Sequence, residues 1–305
     1  MSSNTCINTA LLDFCTRLDN GPKASSGESN LPKRSPEEMQ WLREALASVE
    51  QPERKIRRIL DAVAGEGLSE DVCLEHLEEL SDMVEDTNWA VEFVLGGGHR
   101  IILDFMHKRK LAAGSAEIRQ AAAMVVAHAA QLNERAQKCF EEIQWQSVLV
   151  PMLMKEEDPA VIAALLHACS CLCRDYAPNA QLFARADGVD IIKGFLDVDS
   201  IGSRSNDKIV KRVLFFLSYL AEVVTVDVPD LTRRIAAVID SDDDEVQVVV
   251  ARALLSLAAK NLSAVRAVLQ EEKPGCLSQW QSQLLEDDDC RRQLMRVLSG
   301  DELKG

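Results

Sequence analysis

The sequence predicts an all-α fold, a curved solenoid of helical repeats. Three observations lead there. Ala, Leu and Val dominate while aromatics make up only 5% of the chain. One apolar template at helical spacing recurs five times. A capping residue stands just before four of the five copies. Helix formers with few aromatics favour helix packed on helix. At 47% hydrophobic over 305 residues, the chain can fill a sizeable core.

The stretch SPEEMQWLREALASVE, Ser35 to Glu50, carries the signals of a helix start. Ser35 suits the N-cap, Pro36 the first helical position and Glu38 the far corner of a capping box. Residues 1–34 are expected to form a flexible N-terminal segment. Residues 20–35 have linker composition, and Ala10, Leu11, Leu12 and Phe14 could form only a short helix, marginal alone. Residues 35–67 are expected to supply two capping helices. Met39, Leu42, Leu46 and Val49 form one apolar stripe, and Ile56, Ile59, Leu60 and Val63 follow Pro52. Such a pair would cover the apolar end a solenoid exposes at its first repeat, with Trp41 packing beside the stripe.

From Cys73 onward apolar or small residues recur at offsets 0, 4, 7, 8 and 11, one face of an α-helix. The copies are Cys73, Leu77, Leu80, Ser81, Val84; Ile118, Ala122, Val125, Val126, Ala129; Val161, Leu165, Ala168, Cys169, Leu172; Ile209, Val213, Phe216, Leu217, Leu220; and Val246, Val250, Ala253, Leu254, Leu257. Ser115, Asp158, Asn206 and Asp243 stand three residues before the last four copies, where an N-cap belongs. Spacings of this size, about 37–48 residues, are those of armadillo and HEAT repeats. Within a repeat a second apolar segment, a break and a third segment follow. The break is Gly96–Gly98 in the first repeat and Gly188 in the third, while the second has no glycine there. Three helices with a sharp turn before the last favour the armadillo form. Pro229 compresses the fourth repeat, and segments near Trp280–Leu285 and Gln293–Leu298 close the chain. Residues 68–305 are thus expected to be armadillo-like repeats with a C-terminal cap.

The formal charge of −15 argues against nucleic acid, since no basic run exceeds Lys108–Lys110. Nine cysteines without a C-x-x-C pair suit a reducing compartment. The N-terminus has no secretory pattern, no apolar run is long enough to cross a bilayer, and Asp301-Glu302-Leu303 is not terminal and so is no retention signal. The expected location is the cytoplasm, or cytoplasm and nucleus.

No enzyme signature emerges. His167, Cys169, Cys171 and Cys173 are dense, but on a helix Cys171 points away from Cys169 and Cys173, so the cluster reads as small buried side chains. The acidic runs Asp240–Glu245 and Glu286–Asp289 lack the Gly and Glu positions of a calcium loop, and the first suits a helix N-terminus. Gly96–Gly98 lacks the strand and the Lys-Ser/Thr of a phosphate loop and reads as an interhelical turn. The chain is therefore expected to be no enzyme, to need no cofactor or metal and to be a monomer.

Glu37-Glu38, Gln40-Trp41-Leu42 and Glu44-Ala45-Leu46 resemble the start of the core in the heat-shock-protein-70-binding protein family, the armadillo-type nucleotide exchange factors of seventy-kilodalton chaperones. Leu74–Gly98 is similar to that family's first repeat, Lys208–Leu220 to its last full repeat, and Thr9–Gly21 to its N-terminal helix. The resemblance implies a cytosolic co-chaperone. Its concave face would embrace lobe II of the chaperone's ATPase domain and speed ADP release, by binding the open domain better than the ADP-closed one. The resemblance names no individual contacts. Polar residues on the third helices, which would line the concave groove, are the geometric candidates for partner binding: Arg100, Asp104, His107 and Lys108; Gln146 and Lys155; Asp190, Lys193 and Asp197. The alternative is an armadillo adaptor that holds an extended peptide. It should carry a ladder of groove Trp and Asn residues, and Trp41, Trp89, Trp145 and Trp280 share no register.

Overall fold

A computed structural model describes residues 52–65, 67–109, 115–197 and 205–300, together with Gln40. The chain divides into residues 1–50 and 51–305. The N-terminal segment, residues 1–34, and the first capping helix apart from Gln40, Trp41 included, lie outside the described residues.

No β-strand occurs among the described residues. Helix α1 (Pro52–Ala64) packs on α2 (Glu70–Val84), and three triplets follow, each short, short and long. The first is α3 (Thr87–Leu95), α4 (Gly98–Arg109) and α5 (Ala116–Ala130). The second is α6 (Glu134–Glu142), α7 (Gln146–Lys155) and α8 (Pro159–Cys173). The third is α9 (Ala177–Arg185), α10 (Gly188–Lys193, continued by a 3-10 turn to Leu196) and α11 (Asp207–Val223). Then come α12 (Val228–Ala237), α13 (Asp244–Glu272), the short α14 (Ser278–Gln281) and α15 (Cys290–Ser299).

The five template copies are the cores of α2, α5, α8, α11 and the first half of α13, and every template residue is buried. These long helices stack one on the next along the chain. Fully burying a Leu, Val or Ile stabilises by about 1.5–3 kcal/mol, so the recurring stripe is the main source of cohesion. Ser115, Asp158, Asn206 and Asp243 each cap their helix, the side chain accepting from backbone N–H groups of its first turn. Ser69 does the same for α2, one residue earlier than the template spacing of the others.

The corner between the two short helices of each triplet is a left-handed residue: Gly97 (φ 81°), Gln144 (φ 57°) and Asp187 (φ 60°). Four residues before each corner stands a fully buried phenylalanine: Phe93, Phe140 and Phe183. The residue after the corner must let that ring in. A Cβ on Gly98 would lie 2.3 Å from the Phe93 ring, and one on Gly188 would lie 2.5 Å from the Phe183 ring. In the second triplet the equivalent position is Trp145, whose indole is wholly buried and stacks on Phe183 at 6.1 Å. Phe183 in turn meets Phe216 of α11 at 5.0 Å, so one aromatic chain joins the second and third triplets.

Helix α13 is the one described helix long and apolar enough to cross a membrane, by length and composition alone. It exceeds any apolar run in the sequence because two helices abut: the backbone leaves helical geometry at Asn261 (φ −154°, ψ 84°). The Asn261 carboxamide oxygen accepts from Ala264 N, capping the second piece. The first piece buries its template stripe, and the helix as a whole packs against α11 and α12. At the C-terminal end Arg291, buried on α15, pairs with Asp289 at 2.7 Å and with Asp244 of α13 at 2.5 Å. Trp280, also fully buried, donates to Gln247 at 2.8 Å.

Replacing Gly188 by Ala pushes a methyl group into the Phe183 ring. The expected loss is about 1–3 kcal/mol of stability, the usual cost of overpacking a dense core, measured by chemical denaturation against an Ala184→Ser control.

Candidate functional site

The sequence-derived contact candidates sit on the second helices of the triplets or just after them. Arg100, Asp104, His107 and Lys108 lie on α4, where Asp104 and Lys108 form an exposed i,i+4 ion pair. Gln146 and Lys155 lie at the two ends of α7. Gln146 is buried and donates to Gln144, and Lys155 is exposed. Asp190 and Lys193 lie on α10 and pair with each other at 2.5 Å. Lys193 also reaches Asp230 of α12 at 2.8 Å, and Asp197 binds Arg234 of the same helix. Lys193 and Asp197 thus tie the third triplet to α12.

Two clefts on the long helices lie elsewhere. Counted from the first short helix, the third helix of each triplet is the long template helix, and the two adjoining clefts follow that ladder. One, of about 360 Å³, is walled by Leu132, Leu166, His167, Cys171, Arg212 and Phe215. The next, of about 520 Å³, is walled by Tyr219, Glu222, Arg252, Leu255 and Asp288. Arg174 and Phe215 belong to both, so the two form one groove across α8, α11 and α13. None of the nine sequence-derived residues lines it.

The groove centres on Phe215, which is 37% exposed. The Arg174 guanidinium lies 4.2 Å from its ring centroid, and that of Arg252 lies 5.6 Å away. Arg174 also lies 5.8 Å from the Tyr219 ring. Cation–π contacts of this kind stabilise by about 0.5–1 kcal/mol each when exposed, and they hold the arginines upright. Arg212 enters from α11, and burial lowers its pKa. His167 is lowered to about 4 by burial and by the Arg212 charge, so it is neutral at physiological pH.

The dense thiols are core residues. Cys169 and Cys173 are fully buried, and burial raises both thiols well above their ordinary value. Cys171 is raised to about 11 by burial. A thiol that stays protonated is a poor nucleophile and a poor metal ligand. Among the described residues no three His, Cys, Asp or Glu side chains converge as a metal site.

A buried polar network fixes the corner from which Arg174 emerges. Gln137 of α6 donates to the carbonyls of Cys171 and Arg174, at 2.8 and 2.7 Å. Asn179 of α9 donates to the carbonyls of Leu172 and Gln137, at 2.9 and 3.1 Å, and accepts from the Trp145 indole at 2.9 Å. The last carbonyls of α8 lack intrahelical donors and need such partners. Asp175, in the left-handed region at φ 59°, then turns the chain away.

No protein-family model matches the sequence, and no curated protein matches it. Solved structures do match in fold. An engineered protein superposes with a TM-score of 0.65 at 18% identity, over 82% of this chain and 96% of its own. A designed armadillo repeat protein gives 0.64 at 16% identity, over 82% and 99%. Another designed armadillo repeat protein, in complex with the peptide (KR)4, gives 0.65 at 14% identity, over 82% and 99%. The fold is an all-α, armadillo-like solenoid.

Asn179→Ala leaves the Trp145 N–H and the Leu172 carbonyl without protein partners. Each unsatisfied buried group costs about 1–3 kcal/mol, so a loss of about 3 kcal/mol is expected in equilibrium denaturation. Asn179→Asp, which can still accept but no longer donate, should not restore it.

Proposed function

We propose that this chain is a binding scaffold, without catalysis of its own, that holds an extended segment of a partner protein in the groove along its long helices. The observation that carries this reading is the continuity of the groove: Arg174 and Phe215 join two clefts across three successive repeats. A rigid stack of repeats offers an extended ligand one station per repeat. Fold neighbours described as designed for modular peptide recognition support the same reading.

A second reading rests on the sequence resemblance to the chaperone exchange factors. Leu74–Gly98 spans most of α2 and all of α3, and Lys208–Leu220 lies in α11. The Trp41-containing part of that resemblance lies outside the described residues. In this reading the partner is a folded ATPase lobe of a seventy-kilodalton chaperone, and the polar side chains of α4, α7 and α10 remain the proposed contacts.

The two readings separate in one titration series. Unstructured peptides of degenerate sequence, followed by fluorescence anisotropy, are expected to bind the full chain and to lose about tenfold in affinity on Phe215→Ala, since truncating an aromatic anchor typically costs more than about 1 kcal/mol. Arg100→Glu with Lys108→Glu should leave peptide binding unchanged. If no peptide binds, while a chaperone ATPase domain releases labelled ADP faster in the presence of the chain and Arg100→Glu/Lys108→Glu slows that release, the scaffold reading fails and the exchange reading stands.

A further inference from the structure

We infer that the segment held in this groove is acidic: a run of Asp or Glu residues beside an apolar side chain, clasped by Arg174, Arg212 and Arg252. The inference rests on the scaffold reading and specifies its partner class.

It starts from the charge ledger. The chain carries 49 acidic and 34 basic residues. With carboxylates in such excess, many of the cations are held by acidic partners. Arg119 is held by both oxygens of Glu156, Lys211 by Asp243 and Glu245, Arg233 by Glu272, Lys273 by Asp240 and Arg291 by Asp289 and Asp244. Arg174, Arg212 and Arg252 form no ion pair and donate no side-chain hydrogen bond among the described residues.

These three are the arginines that line the groove. Two of them crowd one phenyl ring, and the third is half withdrawn from water. Gathering like charges and desolvating a guanidinium are both unfavourable without an anion. Carboxylates laid between them would relieve both terms. Each guanidinium presents a planar fork of donors that matches a carboxylate.

The rest of the wall defines the neighbouring side chain. Leu132, 76% exposed, faces the groove with Leu166 and Cys171, next to the Phe215 ring. That end accepts an apolar group. At the opposite end Glu222 and Asp288 line the second cleft. They bound the cationic stretch and would repel an acidic chain that ran further. The acidic residues therefore sit over α8 and α11, with the apolar residue toward the α5 end.

The test uses the full chain and three labelled twelve-residue peptides of matched apolar spacing, with Asp/Glu, Asn/Gln or Lys/Arg at the remaining positions. The acidic peptide should bind at least about tenfold tighter than the neutral one, the scale of a charge-assisted hydrogen bond of 1.5 kcal/mol or more. Its affinity should fall as salt rises from about 50 to 300 mM, because screening shortens the reach of the field. The basic peptide should bind weakest. Arg174→Glu with Arg252→Glu should invert the order, which a merely structural role for the arginines would not do. If circular dichroism shows the double variant unfolded, Arg252→Gln, at an exposed position, should still weaken the acidic peptide and flatten its salt dependence. Tighter binding of the basic peptide, or equal binding of all three, overturns this inference and leaves the scaffold reading intact. Binding of none overturns both.

Discussion

The hydrogen bonds of Gln137, Asn179 and Trp145 are the constraint on which the groove depends. An α-helix ends with carbonyls that have no donor of their own. In α8 those carbonyls point into protein, where water cannot serve them, and two carboxamides from two different short helices take its place. The same carboxamide that serves Leu172 also receives the indole N–H of the residue that fills the second corner. One network therefore fixes where α8 stops, how α6 and α9 abut it, and how far Trp145 enters the core. Arg174 is the cap residue of α8, so its position over Phe215 follows from that stop.

The proposed function rests on what the packing leaves exposed. The long helices bury their template faces and stack in order, so side chains on the opposite face recur at repeat spacing. Phe215 of α11 and Arg252 of α13 hold equivalent places, each six residues after its template start, and Arg174, the cap residue of α8, lies over the same ring. A stack of this kind offers a line of stations rather than a single pocket. In the proposed reading local charge then sets the partner: a cationic groove on an acidic protein would steer acidic segments to one place and repel them elsewhere.

Much of the fold was legible in the sequence. The offsets 0, 4, 7, 8 and 11 named residues that are all buried, and the capping residues at Ser115, Asp158, Asn206 and Asp243 all accept from the first turn, because periodicity and caps are local signals. The Asp243 end of the acidic run also serves as a helix start, and Gly96–Gly98 forms an interhelical turn. The phase of the repeat was not legible. A template helix reads the same whether it is counted first or third, and counting it first puts the candidate contacts on α4, α7 and α10, where they remain the proposed contacts of the exchange reading. A weaker signal existed: Phe93, Phe140 and Phe183 recur once per repeat, each four residues before the corner. Gln144 hid it, since a left-handed corner without glycine leaves no mark in composition. The arginine–phenylalanine stack had no mark either, because Arg174, Phe215 and Arg252 meet only through the stacking of three helices.

The central claim is that the ladder of long helices is the working surface, and hydrogen–deuterium exchange on the full chain with and without a bound acidic peptide tests it most directly. The account predicts slowed exchange in α8, α11 and the first half of α13, strongest near Arg174 and Phe215, with α4, α7 and α10 unchanged. Slowed exchange confined to α4, α7 and α10 would contradict it.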